Sequence, residues 1–231
     1  MIPESEIQNP SQKLHPDVLM PSKPCKDLLR PKLIAIGAST GGVETLSSIF
    51  SALPTGLPPI VIVQHIPGTF GTSFAKRLNA NSALEVSEVT QKIKLKESCA
   101  YLAGGDAHIS LGYEGGHYTA KPLEGPRISR HKPSVDILFR STNNTAGRNA
   151  LGVILTGMGD DGSIGLKEMF DNGALTIAQS KESCVVFGMP KKAIEIGAAR
   201  LVLDLNKIIE KIIVFKDYVH KDDDDSGTYD I

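Results

Sequence analysis

The amino-acid sequence predicts a doubly wound α/β fold, a mostly parallel sheet flanked by helices on both faces. Three observations carry this prediction. From Leu33 onward, short β-branched runs alternate with amphipathic stretches, the pattern of successive βαβ units. Three apolar runs, in KLIAIGASTGG, PPIVIVQHIPG and ALGVILTGMGDDG, break into turns carrying Ser39, His65 and Asp161, and in open α/β sheets ligands bind at the carboxyl ends of strands. With 231 residues, of which 41% are hydrophobic, the chain can build one substantial core.

Taken in order, residues 1–30 are rich in Pro, Ser and Lys without a sustained apolar period and read as a linker or flexible arm. A single folded domain is expected over 31–218. Its first strand runs to Gly37, and the helix VETLSSIFSAL follows with a stripe of Val43, Leu46, Ile49, Phe50 and Leu53, stopped by Pro54. The second strand covers Ile60 to Gln64, and a helical stretch after His65 carries Ser73 and Arg77. Between Ala83 and Pro122 the rhythm breaks. EVSEVT, YLAGG and HISLGYEGGHYTA read as strands, the last folding on itself through Glu114, Gly115 and Gly116 as a β-hairpin near the site. Helix HKPSVDILFRS is capped at or near Ser134 and buries Val135, Leu138 and Phe139. Strand ALGVILTG, helix SIGLKEMF, strand ALTIA, helix PKKAIEIG and strand ARLVLDL resume the alternation, with Pro190 at a helix start and Gly197 past its end. The last helix, NKIIEKIIVFKDYV, precedes an acidic flexible tail over 219–231, whose four consecutive aspartates repel one another.

Composition excludes several classes. A net charge of −1 offers no basic groove for nucleic acid. No apolar run reaches the roughly 20 residues of a membrane helix, and MIPESEIQNPSQKLHPD lacks the build of a signal peptide, so a cytoplasmic location is expected. Cys25, Cys99 and Cys184 are an odd set without metal-ligand spacing and read as reduced thiols.

A hydroxyl, an imidazole and a carboxylate at like junctions form a nucleophile, a base and an orienting acid, the set that performs acyl transfer. GASTGG fails as a P-loop because Val43 and Glu44 follow Gly42. It fails as a dinucleotide fingerprint because Ser39 occupies the position needing glycine. It matches the G-x-S-x-G elbow, yet the histidine precedes the acid, the reverse of the α/β-hydrolase order. The elbow geometry therefore sits on a different α/β topology.

Six strings in order, IGASTGG, QHIPGTFGTSFAKRL, YLAGGDAHISL, HKPSVDILFRS, VILTGMGDDG and SCVVFGMPKKAIEIGA, resemble the chemotaxis receptor methylesterase family, the CheB catalytic domain, over roughly Leu33 to Leu203. The resemblance places the family's catalytic serine, histidine and aspartate on Ser39, His65 and Asp161. It implies hydrolysis of glutamate γ-methyl esters on cytoplasmic helices of chemoreceptors with release of methanol, and deamidation of receptor glutamines as a second activity. It also implies a regulatory receiver domain, for which there is no room before Leu33; PSKPCKDLLRPK resembles only the linker that follows one. The expectation is a stand-alone esterase, a fragment, or an enzyme controlled by a separate receiver. Gly104, Lys132 and the pair Ser180 and Lys181 depart from the family's common residues, away from the triad.

The mechanism so read needs no metal and no organic cofactor. Either Met158 or Thr40 supplies a backbone N–H to the oxyanion; sequence leaves both open. Each residue also has a plainer role: Ser39 as a helix cap, His65 as packing, Asp160 and Asp161 as turn residues. His108 and His131 are rival bases read as structural. His15, His117 and His220 have no support, and Ser73 and Arg77 divide evenly between solvated helix face and substrate contact. The alternative function is a non-catalytic adaptor binding a receptor or an anion through the same loop.

Overall fold

A computed structural model of the chain describes residues 13–104 and 106–220. Seven parallel strands form the main sheet: β1 (Leu33–Ala38), β2 (Ile60–Gln64), β3 (Glu85–Val89), β5 (Cys99–Ala103), β8 (Ala150–Ile154), β9 (Leu175–Gln179) and β10 (Leu201–Leu203). Their order is β10-β9-β8-β1-β2-β5-β3. The chain winds outward from β1 in one direction, then returns to β8 and winds in the other. The crevice at the β1/β8 boundary is the topological switch point. β1, β2, β8 and β9 are buried at every position, which is why their sequences read as continuous apolar runs.

Strand alternation divides the core. Leu33, Ala35, Val61 and Val63 face α3 (Val135–Ala146), α4 (Ser163–Asp171) and α5 (Met189–Glu195). Ile34, Ile36, Ile60 and Ile62 face α1 (Gly42–Ala52), α2 (Gly68–Ala80) and α6 (Leu205–Val214). Because side chains alternate with a period of two, positions 39 and 65, each one residue beyond its strand, continue the row that faces α3.

The stretch that breaks the rhythm serves two sheets. β3 and β5 complete the edge of the main sheet. β6 (His108–Glu114) and β7 (His117–Leu123) form the expected hairpin, turning through Gly115 at φ 57° and Gly116 at φ 80°, the left-handed pair a two-residue turn demands. The two-residue β4 (Ile93–Lys94) pairs with β7; it is too short to show a period in sequence. The last helix stops at Val214 and passes into a 3₁₀ turn over Phe215–Asp217, five residues short of the stretch read from sequence.

Residues 13–30, read as linker or arm, lie along the domain. Leu14 is buried with Ile128 and Ile137. Arg140, 1% exposed, donates to Asp17, Glu168 and the Met20 carbonyl. Contacts made one residue at a time leave no periodic signal. Residues 1–12 and the aspartate run of the tail lie outside the described residues. No described helix is long and apolar enough to cross a membrane.

Helices α3 and α4 meet at Gly165, where a Cβ would stand 2.7 Å from the Asp136 carbonyl oxygen and 2.8 Å from the Phe139 Cβ. Gly165→Ala is expected to lower stability by about 1–3 kcal/mol through overpacking, read as a reduced urea midpoint at unchanged slope.

Candidate active site

The parallel register brings the first two residues together. Ala38 pairs with Gln64, and His65 N donates to the Ala38 carbonyl at 3.1 Å, so Ser39 and His65 leave adjacent strands side by side. The Gln64 side-chain amide ties them by donating to the Ser39 carbonyl at 2.8 Å and the His65 carbonyl at 3.2 Å. On the other side, Ser39 N donates to the Thr156 carbonyl at 3.0 Å. Gly157, next in that loop, packs so tightly that a Cβ there would lie 2.8 Å from the Ser39 Cβ and 2.2 Å from the Met189 Sδ.

Asp161 closes the set. It is fully buried, and its Oδ2 lies 2.8 Å from His65 Nε2. The same oxygen accepts from Val135 N at 2.8 Å; Oδ1 accepts from Ser134 Oγ at 2.8 Å and Asp136 N at 3.0 Å. These donors are the N-cap and first turn of α3, where unpaired N–H groups and the positive end of the helix dipole favour an anion. Four donors on two oxygens is the pattern of an acceptor-only, ionised carboxylate. Burial pushes the Asp161 pKa up, and the donors from Asp136, Val135 and Ser134 pull it down. Neighbouring Asp136 is pushed up to about 7, by burial first and by the Asp161 charge second. Its carboxyl is held by Ser129 Oγ at 2.7 Å and Gly165 N at 2.9 Å.

With Nε2 committed to Asp161, the proton-accepting atom of His65 is Nδ1. That atom is buried and has no hydrogen-bond partner among the described residues. Ser39 and His65 are thus adjacent but not hydrogen-bonded. Burial pushes the His65 pKa down to about 4, so the ring is neutral at neutral pH.

The remaining sequence-predicted residues divide by position. Thr40 is exposed at the entry to α1, and its carbonyl accepts from Thr156 Oγ1 at 3.0 Å. Met158 is 72% exposed on the turn beyond Gly157. Neither backbone N–H is engaged by another group among the described residues. Asp160 pairs with Lys13 and Arg130 rather than with His65. His108 is buried between the Pro126 carbonyl and Ser134 N, a buttress for the cap. His131 stacks on His65. His15 caps a 3₁₀ turn, His117 sits beside the hairpin turn, and His220 contacts the Arg148 carbonyl. Ser73 and Arg77 line an apolar groove with Phe70. Among the described residues no group of three or more His, Cys, Asp or Glu is arranged to hold a metal.

Sequence reasoning missed Gln64 and the second role of Ser134. It read Ser134 as a helix cap, which it is, since its Oγ also accepts from Ile137 N. Nothing in the spacing shows that the cap also holds Asp161.

Fold and site define a class: a doubly wound parallel α/β protein with a serine, an imidazole and a buried carboxyl group at its switch point. Within that class the sequence matches the family model described as CheB methylesterase over residues 34–212, and the chain belongs to that family. It is 44% identical over 209 residues to protein-glutamate methylesterase/protein-glutamine glutaminase 2 of Pseudomonas syringae pv. tomato, covering 90% of this chain and 58% of that relative. It is 51% identical over 181 residues to the protein of the same name from Chromobacterium violaceum, covering 78% of this chain and 51% of that one. The crystal structure of the Thermotoga maritima CheB methylesterase catalytic domain superposes with a TM-score of 0.76 at 40% identity, covering 80% of this chain and 98% of the other. The chain spans little more than half the length of these curated relatives.

Ring ¹⁵N NMR is expected to show His65 as the Nε2–H tautomer at neutral pH, taking up a proton only as pH falls well below 6.5, towards about 4. A ring titrating near its ordinary value would contradict the burial and the committed Nε2.

Proposed function

We propose that the chain is a serine hydrolase that removes methyl groups from glutamate γ-methyl esters on the cytoplasmic helices of chemoreceptors, releasing methanol, and that it deamidates receptor glutamines at the same site. It acts in the cytoplasm, under the control of a receiver domain. The observation carrying this reading is the 2.8 Å bond from His65 to Asp161, which leaves the other ring nitrogen free on the strand end beside Ser39. Family membership and the names of the relatives support the substrate class.

Ser39 Oγ attacks the ester carbonyl while His65 Nδ1 takes its proton. Asp161 holds the ring through Nε2 and stabilises the imidazolium that forms. The unengaged N–H of Met158 or Thr40 donates to the oxyanion; Met158 is favoured because Gly157 brings that turn against Ser39. Such a donor is worth about 3 kcal/mol and the general base about 10²- to 10⁴-fold. The tetrahedral centre collapses, His65 returns the proton to the methoxide, and methanol leaves. Water then attacks the acyl-serine by the same proton path, giving the free glutamate carboxylate and restoring Ser39. An amide substrate follows the same course with ammonia leaving.

Ser39→Ala is expected to abolish both fluorophosphonate labelling and methanol release from a methyl-esterified receptor fragment; retained turnover in that variant would reject the mechanism. Asp161→Asn should lower turnover by up to about 10⁴-fold as tautomer control is lost. It should also cost about 1–3 kcal/mol of stability, because an amide NH₂ then faces backbone donors at the α3 terminus. Gly157→Ala should lower kcat by about 10²- to 10³-fold through displacement of the oxyanion turn. Binding of the receptor fragment with neither labelling nor methanol release would support the adaptor instead.

A further inference from the structure

The His65 and His131 rings are parallel to within 5°, with centroids 3.8 Å apart. His131 reaches this position from a strained turn. Ile128 N donates to the His131 carbonyl at 3.0 Å, and His131 N donates to the Ile128 carbonyl at 2.9 Å. The two residues between them, Ser129 at φ 48° and Arg130 at φ 71°, both adopt the left-handed region without being glycine. Consecutive non-glycine residues hold that conformation only where surrounding contacts enforce it. Here Ser129 is 1% exposed, its N–H donates to the Leu14 carbonyl at 3.0 Å, and its Oγ donates to Asp136 at 2.7 Å. Three residues beyond His131, the same segment supplies the Ser134 cap of Asp161. One rigid stretch therefore presents a flat ring to the face of His65 and the donors that hold its partner acid.

We propose that His131 is a positioning residue for the reaction, its ring a flat backstop that holds the His65 imidazole in the plane joining Asp161 to Ser39. The inference rests on the reading of His65 as the base. The His131 ring makes no hydrogen bond among the described residues, so its contact with His65 is its principal interaction. A parallel face at this separation leaves no room for water behind the ring and blocks its rotation about χ2. Only the two edge nitrogens remain available, one to the acid and one to the nucleophile, the alignment on which proton transfer depends. The stack also borders a cleft of about 450 Å³ lined by both rings and in part by Arg127, Lys132 and Asp106. The charged groups near the pair include Asp160 and Asp161 from the loop after β8, Asp136 from α3, Arg127 just before the strained turn, and Lys132 and Asp106 across the cleft. Two stacked imidazolium rings would repel, so the proton that His65 takes from Ser39 is accommodated only while His131 is neutral.

The test compares His131→Ala, which removes the backstop, with His131→Phe, which restores a flat face without a titrating nitrogen. His131→Ala should reduce fluorophosphonate labelling of Ser39 and kcat by up to about 10²-fold with KM little changed, and ¹⁵N spectra should show His65 no longer confined to the Nε2–H tautomer. His131→Phe should recover most of the rate and the single tautomer, while removing the His131 titration from the acid limb of the pH–rate profile. If the alanine variant does not fold, His131→Leu, which fills the space without a flat face, takes its place. Wild-type rates and an ordered His65 ring in the alanine or leucine variant would overturn the proposal, as would a phenylalanine variant as impaired as alanine. The His65 tautomer reads the backstop without any substrate, so its loss in a protein whose wild type releases no methanol would uphold the positioning and reject the hydrolase reading.

Discussion

The anchoring of one buried carboxylate on the start of one helix governs the geometry of everything around it. Asp161 is wholly removed from water, and an ion in that state costs several kcal/mol unless donors replace its hydration. Charge-assisted hydrogen bonds contribute about 1.5–3 kcal/mol each, so the donors from Ser134, Val135 and Asp136 are of the size required. The fourth donor is His65 itself. The imidazole therefore completes the solvation of the acid, and its orientation follows from that need.

Such an anchor works only if the helix start cannot move. A Cβ at Gly37 would lie 2.1 Å from Val135 Cγ1, and one at Gly162 2.5 Å from the same atom. The first turn of α3 is thus clamped between the end of β1 and the loop carrying Asp161, with no side chain intervening at either point. His108 supports the clamp from behind by accepting Ser134 N at 3.1 Å. Three chain segments distant in sequence are locked to one another within a single turn of helix.

The strand ends are held by a second set of ties. Thr156 lies between them, its Oγ1 donating to the Thr40 carbonyl and accepting from Val186 N at 2.9 Å. Its own N–H is held by Gln179 Oε1 at 2.8 Å. This explains why the SCVVFGMP string belongs to the site although it carries no reacting group. It fastens the loop after β8, and with it Gly157 and Met158, to the sheet edge.

Much of this was legible in the amino-acid sequence. Alternating apolar runs mark the parallel strands because both faces of each are buried, and glycines at the strand ends mark where Ser39, His65 and Asp161 emerge. The residues outside that reading act through contacts that periodicity does not encode. β4 is two residues long, Leu14 and Asp17 reach the domain from an irregular segment, and Gln64 looks like the last residue of a strand until the neighbouring strand is in place. By itself the sequence determined the fold class and which three residues stand at strand ends, because those depend on local pattern. Only the tertiary structure decided that Nδ1 rather than Nε2 of His65 is the free nitrogen, and that His131 covers the ring. Each of these depends on the crossing of α3 over the sheet edge, a packing of segments about a hundred residues apart that no local pattern specifies.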